Sequence, residues 1–370
     1  QYDIYATMFG GIPENEIDYL QEYWDAFPSL RADLFASSED GKPYASVKSA
    51  DVSQTINKNI DVVELKKSFT DAFAGFSDKL HDTLVSNVLQ VRELVAQDEI
   101  ANDIFSRLEA IPLIDKYSAY QALSDNWQQI VGDIEIIQTE GIDAVRMVET
   151  AYKMVKKDGE DIEVVDGLKG RIIPFELVQA EKFLTELDAI ATKQTQVEDI
   201  ASTLDELRDN FTEEEATAYL DEDDNTKFNK NAIKADAKAK GNDIEPETKA
   251  KLKEIVALWD KTSKLNKEIK ADKAALEVKT IDAIESLSDE EVDFFLHKKW
   301  IDPICQGISN TLTVVLSTFE KAILILEAKY AESYKDIEVK ITENQSQLTE
   351  LIAQLTGDEF AIKGLNNLIK

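Results

Sequence analysis

The chain offers few side chains that could ligate a transition metal, because it has only two histidines and one cysteine. Asp78 and His81 have a helical i, i+3 spacing. Asp293 and His297 have an i, i+4 spacing. A di-metal carboxylate centre requires two Glu-x-x-His motifs projecting into one bundle, and Phe294 stands where the second motif needs its acid. Isolated pairs of this kind are typical of surface ion pairs, so we predict no metal site.

Other catalytic signatures are equally sparse. Cys305 lies in an apolar helical pattern without a neighbouring histidine, which indicates a buried small side chain rather than a reactive thiol. The sequence contains no phosphate loop and no serine nucleophile elbow. Gly10-Gly11 is followed by Ile12-Pro13, which is not the strand–turn–helix setting of a cofactor-binding turn. We therefore predict no catalytic residue and no cofactor in this chain.

The charge balance argues against a surface that grips DNA directly. The 370 residues include 73 acids and 41 bases, which gives a formal net charge of −32. DNA-binding surfaces neutralise phosphates with Lys and Arg, and no run of this sequence joins basic to aromatic residues. No signal peptide and no apolar run of the roughly 18 to 20 residues that span a bilayer is present. These features predict a cytoplasmic protein without membrane contact.

Three long stretches contain neither Gly nor Pro: residues 175–240, 247–302 and 308–356. Such stretches are typical of long helices. Mostly apolar positions with 4-3 spacing form a seam along the first stretch, namely Phe183, Leu187, Ile190, Gln194, Val197, Ala201, Leu204, Arg208 and Phe211, of which Gln194 and Arg208 are polar. The second stretch repeats this spacing at Ile255, Leu258, Thr262, Leu265, Ile269, Asp272 and Leu276. This period predicts an antiparallel, coiled-coil-like helical hairpin.

The predicted hairpin has a charged tip near residues 212–245. Seven acids lie in residues 212–224, and five lysines follow in residues 227–240. Opposite charge blocks of this kind are typical of a solvated tip. Thr212-x-x-Glu215 and Ser288-x-x-Glu291 have the spacing of capping boxes and predict the starts of short helices.

The third stretch predicts one continuous helix from Ile308 to Thr356, with a four-residue stutter between Leu326 and Tyr330. Its first half is apolar nearly all round, which predicts burial on several sides. Its second half carries a narrow apolar stripe that is our candidate partner-binding site, formed by Ile337, Ile341, Leu348, Leu351 and Leu355. The alternative is that this stripe packs on the chain's own helical hairpin.

Residues 1–174 form a predicted globular and mostly helical region. A helix is expected from Ile12 towards Trp24, and a loop from Ser37 to Pro43. Asp-Gly pairs at residues 158 and 166 separate short β-branched runs, which predicts a hairpin of two or three strands near residues 153–173.

The chain is thus predicted to be mainly α. We expect a helical globular part with a small β-hairpin, then a long antiparallel coiled-coil-like hairpin, and then a long C-terminal helix. The predicted segment boundaries are residues 1–174, 175–300 and 301–370.

One stretch, Ile111 to Gln179, resembles a known family through the runs LIDKYSAYQALSDNW, DIEIIQTEG and RIIPFELVQ. These runs are similar to the region after the catalytic domain in M subunits of type I restriction-modification systems. A weaker likeness covers Phe9 to Trp24, FGGIPENEIDYLQEYW. M subunits of this family are adenine-N6 DNA methyltransferases that use S-adenosylmethionine. Their catalytic motif, Asn-Pro-Pro followed by Tyr or Phe, is absent from this chain.

The resemblance implies a role in assembly. In this family two M subunits join one specificity (S) subunit, and the C-terminal helices of M contact helices of S. We therefore expect a non-catalytic C-terminal assembly segment that meets the S subunit and the other M and R subunits, and DNA only indirectly. The alternative is a structural coiled-coil interaction module unrelated to DNA modification.

Overall fold

The computed structural model describes residues 11–37, 44–48, 51–157, 160–221, 224, 226–239, 244–332 and 334–354. The fold is mainly α, as the sequence predicts. Contacts divide the chain into two compact units, which are Gln1–Gly132 together with Trp300–Lys370, and Asp133–Lys299. The predicted segments follow chain order, whereas the first unit combines residues from both the first and the last segment.

The N-terminal part contains a small sheet that the sequence did not predict. Its antiparallel strands have the order β1-β3-β2, and they are β1 (Ile12–Pro13), β2 (Phe35–Ser37) and β3 (Tyr44–Val47). The helix expected from Ile12 towards Trp24 is instead divided into α1 (Glu14–Asp18) and α2 (Gln21–Ala26). A third short helix, α3 (Leu30–Leu34), follows them. Of the predicted loop from Ser37 to Pro43, Ser37 ends β2 and the rest lies outside the described residues.

Further helices follow in the first unit. They are α4 (Val52–Lys58), α5 (Ile60–Ala72), α6 (Phe76–His81), a π-helical turn (Asp82–Ser86), a 3₁₀ turn (Val88–Gln90), α7 (Glu93–Leu108) and α8 (Lys116–Glu140), whose last residues belong to the second unit. The Asn59 side chain caps α5 by accepting hydrogen bonds from the backbone of Asp61 and Val62. Gly75 adopts a φ of +69° and separates α5 from α6.

The second unit contains a β-hairpin and several helices. After a 3₁₀ turn (Ile142–Arg146) come β4 (Val148–Lys157), β5 (Glu160–Gly170), α9 (Phe175–Lys182), α10 (Leu184–Asp209), α11 (Glu213–Tyr219), α12 (Lys230–Lys238) and α13 (Pro246–Glu285). Within the Gly- and Pro-free residues 175–240 the chain leaves helical geometry at Phe183 and again after Asp209. The second break directly precedes the helix start predicted at Thr212.

The β4–β5 hairpin lies at the predicted position, although its details differ. The predicted turn at Asp158-Gly159 lies outside the described residues. The second predicted turn, at Asp166-Gly167, is instead a β-bulge: Gly167 has a φ of +103°, and the strand register shifts opposite residues 150–152. Strand pairing ends at Gly170, so the hairpin has two strands and not three.

The antiparallel pair α10–α13 confirms the predicted helical hairpin. Ile190, Ile269 and Leu276 are buried between the two helices. The predicted seam of α10 differs from the structure at Ala201, which is exposed, whereas its neighbour Ile200 is buried. Gln194, another predicted seam residue, is also exposed.

Polar contacts between α10 and α13 fix the register of the pair. Lys193 donates to Asp272 at 2.7 Å and lies 3.2 Å from Glu268. The hydrogen bond to Asp272 is the main cause that raises the pKa of Lys193. Nearer the start of α10, Lys279 donates to Glu186 at 2.7 Å.

The tip of this hairpin has a small hydrophobic core that the sequence did not predict, while the described lysines of the predicted charged tip are exposed. The core consists of Tyr219, Ile233, Ala237, Leu252 and Ile255. The predicted capping box of Thr212 and Glu215 is present at the start of α11. Burial alone would raise the pKa of Glu215, but hydrogen bonds from the Thr212 backbone, Thr248 and Lys251 lower it below its usual value.

Two further helices follow in the described residues, α14 (Asp289–Lys329) and α15 (Tyr334–Ala353). The capping box of Ser288 and Glu291 forms, but it begins this 41-residue helix rather than a short one. Helix α14 continues through Pro303 and Gly307. The single helix predicted from Ile308 to Thr356 is instead two, and the break lies at the predicted stutter.

The C-terminal half of α14 buries one face against the N-terminal elements of the first unit. The Phe319 ring stacks on Tyr23 with centroids 4.5 Å apart and meets the edge of Trp24 at 5.4 Å. Trp24 Nε1–H donates to the Ile17 carbonyl at 2.7 Å. Burial on several sides was wrong, because Ile325 on the other face is 66% exposed.

Segments that carry the family resemblance meet at a buried ion pair in the second unit. Lys299 donates to the Asp133 carboxylate at 2.5 Å and to the Ile172 carbonyl at 2.6 Å. Both charged side chains are at most 10% exposed. Next to them, Arg171 forms an ion pair with Glu140. Asp133 and Glu140 belong to the run DIEIIQTEG, and Arg171 and Ile172 to the run RIIPFELVQ, so these motif residues have a structural role.

We expect Lys299→Met to lower the free energy of unfolding by about 3–5 kcal/mol, because it leaves the buried Asp133 carboxylate without its ammonium partner. Urea unfolding followed by circular dichroism measures the change. The matched control is Lys298→Met, since Lys298 lies 3.3 Å from Glu181 with both side chains one-third exposed. An exposed pair contributes at most about 1 kcal/mol. Equal losses in the two variants would contradict the structural role.

Candidate partner-binding site

Helix α15 follows a partly buried charged cluster at the end of α14, formed by Glu16, Lys329 and Tyr330. Lys329 Nζ donates to the two carboxylate oxygens of Glu16 at 2.6 and 2.7 Å. The Tyr330 hydroxyl donates to the same carboxylate at 2.7 Å. Tyr330 is buried, and its backbone N–H bonds the Glu327 carbonyl in the tightened geometry of a helix end. The Glu16 cluster therefore ends α14 and fixes the point from which α15 begins.

The electrostatics of the Glu16 cluster favour the ionised pair. Burial alone would raise the pKa of Glu16, but hydrogen bonds from Lys329 and Tyr330 and the charge of Lys329 hold it below its usual 4.5. The hydrogen bond to Glu16 is the main cause that raises the pKa of Lys329. Burial, and then the hydrogen bond to Glu16, raise the pKa of Tyr330. No local sequence pattern predicts this cluster, because Glu16 and Lys329 are 313 positions apart.

The apolar stripe (Ile337, Ile341, Leu348 and Leu351) lies on one face of α15. At 3.6 residues per turn these positions recur on the same side of a helix about 30 Å long. Their exposed fractions are 39%, 51%, 50% and 61%. The alternative, that the stripe packs on the chain's own helical hairpin, stays a prediction. Leu355, the fifth candidate, lies outside the described residues.

The flanks of the stripe are polar and mostly acidic. The sequence of α15 contains four acids and two lysines. Lys340 forms an ion pair with Glu332, and the hydrogen bond to Glu332 raises the pKa of Lys340. Val339 is 48% exposed, and its position is about 160° from the stripe. Ile352 lies four residues after Leu348 and is buried beside the stripe. It was not among the stripe residues predicted from the sequence.

The residues tested for metal or thiol chemistry do not come together. His81 lies in α6, and His297 lies in α14. Among the residues that the structure describes, no group of three or more His, Cys, Asp or Glu side chains could hold a metal ion. Cys305 is partly buried, and burial raises the pKa of its thiol. It lines an apolar cavity of about 370 Å³ with Phe69, Phe73 and Phe76.

Within the described parts of the chain, no helix is both long enough and apolar enough to cross a bilayer. No protein-family model matches the sequence, and no curated protein or solved structure gives a match.

We expect Glu16→Gln to lower the free energy of unfolding by about 1–3 kcal/mol at pH 7, because the Lys329 ammonium and the Tyr330 hydroxyl lose their charged acceptor. The pKa of Glu16 is lowered in the folded state, so its contribution is fully present above pH 4.5 and is lost as the pH falls through the folded value. Urea unfolding across this pH range measures the difference between variant and wild type.

The control for this experiment is Glu14→Gln, on the same helix. Glu14 contacts Arg31 at 3.1 Å, and both side chains are more than a third exposed. We expect a change within about 1 kcal/mol for this variant. A Glu16→Gln difference that stays constant as the pH falls below 4.5 would show that the ionised carboxylate is not the stabilising form.

Proposed function

We propose that this chain is the non-catalytic C-terminal assembly segment of a type I restriction-modification adenine-N6 methyltransferase subunit, and that α15 binds the specificity subunit. The observation that carries the proposal is the exposed apolar stripe on α15. A helix with apolar residues at i, i+4, i+11 and i+14 offers one continuous edge to a partner helix. The family resemblance of Ile111 to Gln179 supports the identity of that partner.

The energetics of the stripe indicate that α15 is one part of a wider interface. Covering a half-exposed Ile or Leu gains roughly 1 kcal/mol, so four of them gain about 4 kcal/mol. Association costs at least a comparable amount in lost translational and rotational freedom. The stripe therefore adds affinity and register to other contacts, with the other M and R subunits among the proposed partners.

The flanks of α15 specify which partner helix fits. Four acids against two lysines on α15 favour a partner whose flanking positions are basic. Under this proposal the S-adenosylmethionine site and the catalytic residues belong to the parent subunit's catalytic domain. The complex reads DNA through the specificity subunit, and the proposed location is the cytoplasm.

One observation favours a second candidate function, a structural coiled-coil interaction module unrelated to DNA modification. The α10–α13 pair buries an interhelical seam of the kind that such modules use. The two functions differ in the partner: only the first requires binding to a specificity subunit.

We expect the double substitution Ile341→Asp with Leu348→Asp in the parent subunit to weaken copurification with its specificity subunit by roughly thirtyfold or more, because it places two charges at the centre of the contact. The matched control is Val339→Asp, since Val339 has a similar exposure but lies on the other side of α15. We expect the control to bind as wild type does.

Two outcomes would contradict this proposal in different ways. If the double variant copurifies like the wild type, the stripe is not the contact. If the wild-type subunit does not bind a specificity subunit at all, the coiled-coil module becomes the better account. Circular dichroism of each variant shows whether its helical content is unchanged.

A further inference from the structure

An open groove in the second unit concentrates positive charge beside a tryptophan. Its volume is about 440 Å³, and it lies along α13 next to the start of α12. Its lining residues are Lys230, Trp259, Thr262, Ser263, Asn266, Lys267 and Lys270. Because Lys230 and Trp259 are far apart in the sequence, the linear pattern did not show that a basic residue and an aromatic one adjoin here.

The groove has no acidic lining residue, although the chain as a whole has a net charge of −32. Lys230, Lys267 and Lys270 are exposed, and none of them forms an ion pair with a residue that the structure describes. On the neighbouring face, Glu268 and Asp272 are already paired with Lys193. The positive charge of the groove is therefore left for a ligand.

The aromatic ring is held in place at the base of the groove. Trp259 is partly buried, and its ring meets the edge of Phe228 with centroids 5.7 Å apart. The Lys230 ammonium lies over the ring, 5.7 Å from its centroid. Lys230 is exposed, so its side chain is free to move from the ring to a phosphate and to leave the ring face open for a flat group.

We propose that this groove binds single-stranded nucleic acid. Lysines neutralise the phosphates, and the Ser263 hydroxyl and the Asn266 amide are the kinds of uncharged donor that bind phosphate oxygens. An unpaired base stacks on the tryptophan, which is the combination that single-strand grooves use. An acidic peptide could bind the lysines but would not use the aromatic ring. A base that is paired in a duplex could not stack on that ring.

The affinity should be modest and sensitive to salt. At physiological ionic strength charges are screened beyond about 8 Å, so most of the acidic surface does not repel a strand in the groove. Three lysines that contact three phosphates give an expected slope of about −2 for log K against log salt.

The test is fluorescence anisotropy of the chain with a labelled single-stranded oligodeoxynucleotide over a range of salt concentrations. We expect the triple variant Lys230→Gln, Lys267→Gln, Lys270→Gln to bind at least about tenfold more weakly at low salt, with a slope close to zero. The matched control removes the same charge from exposed lysines elsewhere, as Lys58→Gln, Lys67→Gln, Lys321→Gln. We expect the control to bind like the wild type.

A second variant, Trp259→Leu, keeps an apolar side chain at the tip core and removes the stacking surface. We expect affinity to fall roughly tenfold for a single lost base stack, with an unchanged salt slope. Equal binding by the triple variant and its control overturns the proposal. So does equal competition by polyglutamate of the same charge, which would make the groove a site for acidic protein segments. No specificity subunit takes part, so the outcome is independent of the proposed function.

Discussion

Each long helix of this chain has an apolar stripe that it cannot bury by itself, and the fold is the way in which these stripes find partners. Helices α10 and α13 bury theirs against each other, around Ile190 and Ile269. The last part of α14 buries its stripe under the aromatic cluster at Phe319. The stripe of α15 differs, because Ile341 and Leu348 are half exposed. Because the stripe of α15 is exposed, we propose that the partner binds to it.

Buried charges give these apolar contacts a single register. Asp133 is a buried carboxylate and Glu16 a partly buried one, and each accepts a hydrogen bond from a lysine ammonium. Glu16 also accepts from the Tyr330 hydroxyl, and the lysine at Asp133 also donates to the Ile172 carbonyl. A buried carboxylate that lost such partners would be strongly destabilising. The contacts of Asp133 fix the junction of the runs that carry the family resemblance, and the contacts of Glu16 fix the end of α14. In both places the charged residues stabilise the fold.

The sequence predicted those features whose signals are local. The α13 seam follows from a 3.5-residue period without Gly or Pro, and the β-hairpin follows from its Asp-Gly pairs. In α10 the same period does not decide between the adjacent apolar residues Ile200 and Ala201, and the larger side chain is the one buried. The prediction of a turn at Gly167 is wrong, because its positive φ forms a bulge.

Features that depend on distant residues were out of reach. Strands of two to four residues, such as β1 and β3, have no period long enough to detect, and they form by pairing with each other. The Glu16 cluster and the groove at Trp259 each join residues from separate helices. For the candidate site itself, the sequence located the stripe, but only the structure gives its exposure and the charged cluster before it.

Hydrogen–deuterium exchange can show whether α15 contacts the specificity subunit, as we propose. The parent subunit would be compared alone and in complex. We expect slower amide exchange in residues 334–353 on complex formation, because a covered helix opens less often. A complex that forms while exchange in residues 334–353 stays unchanged would contradict it.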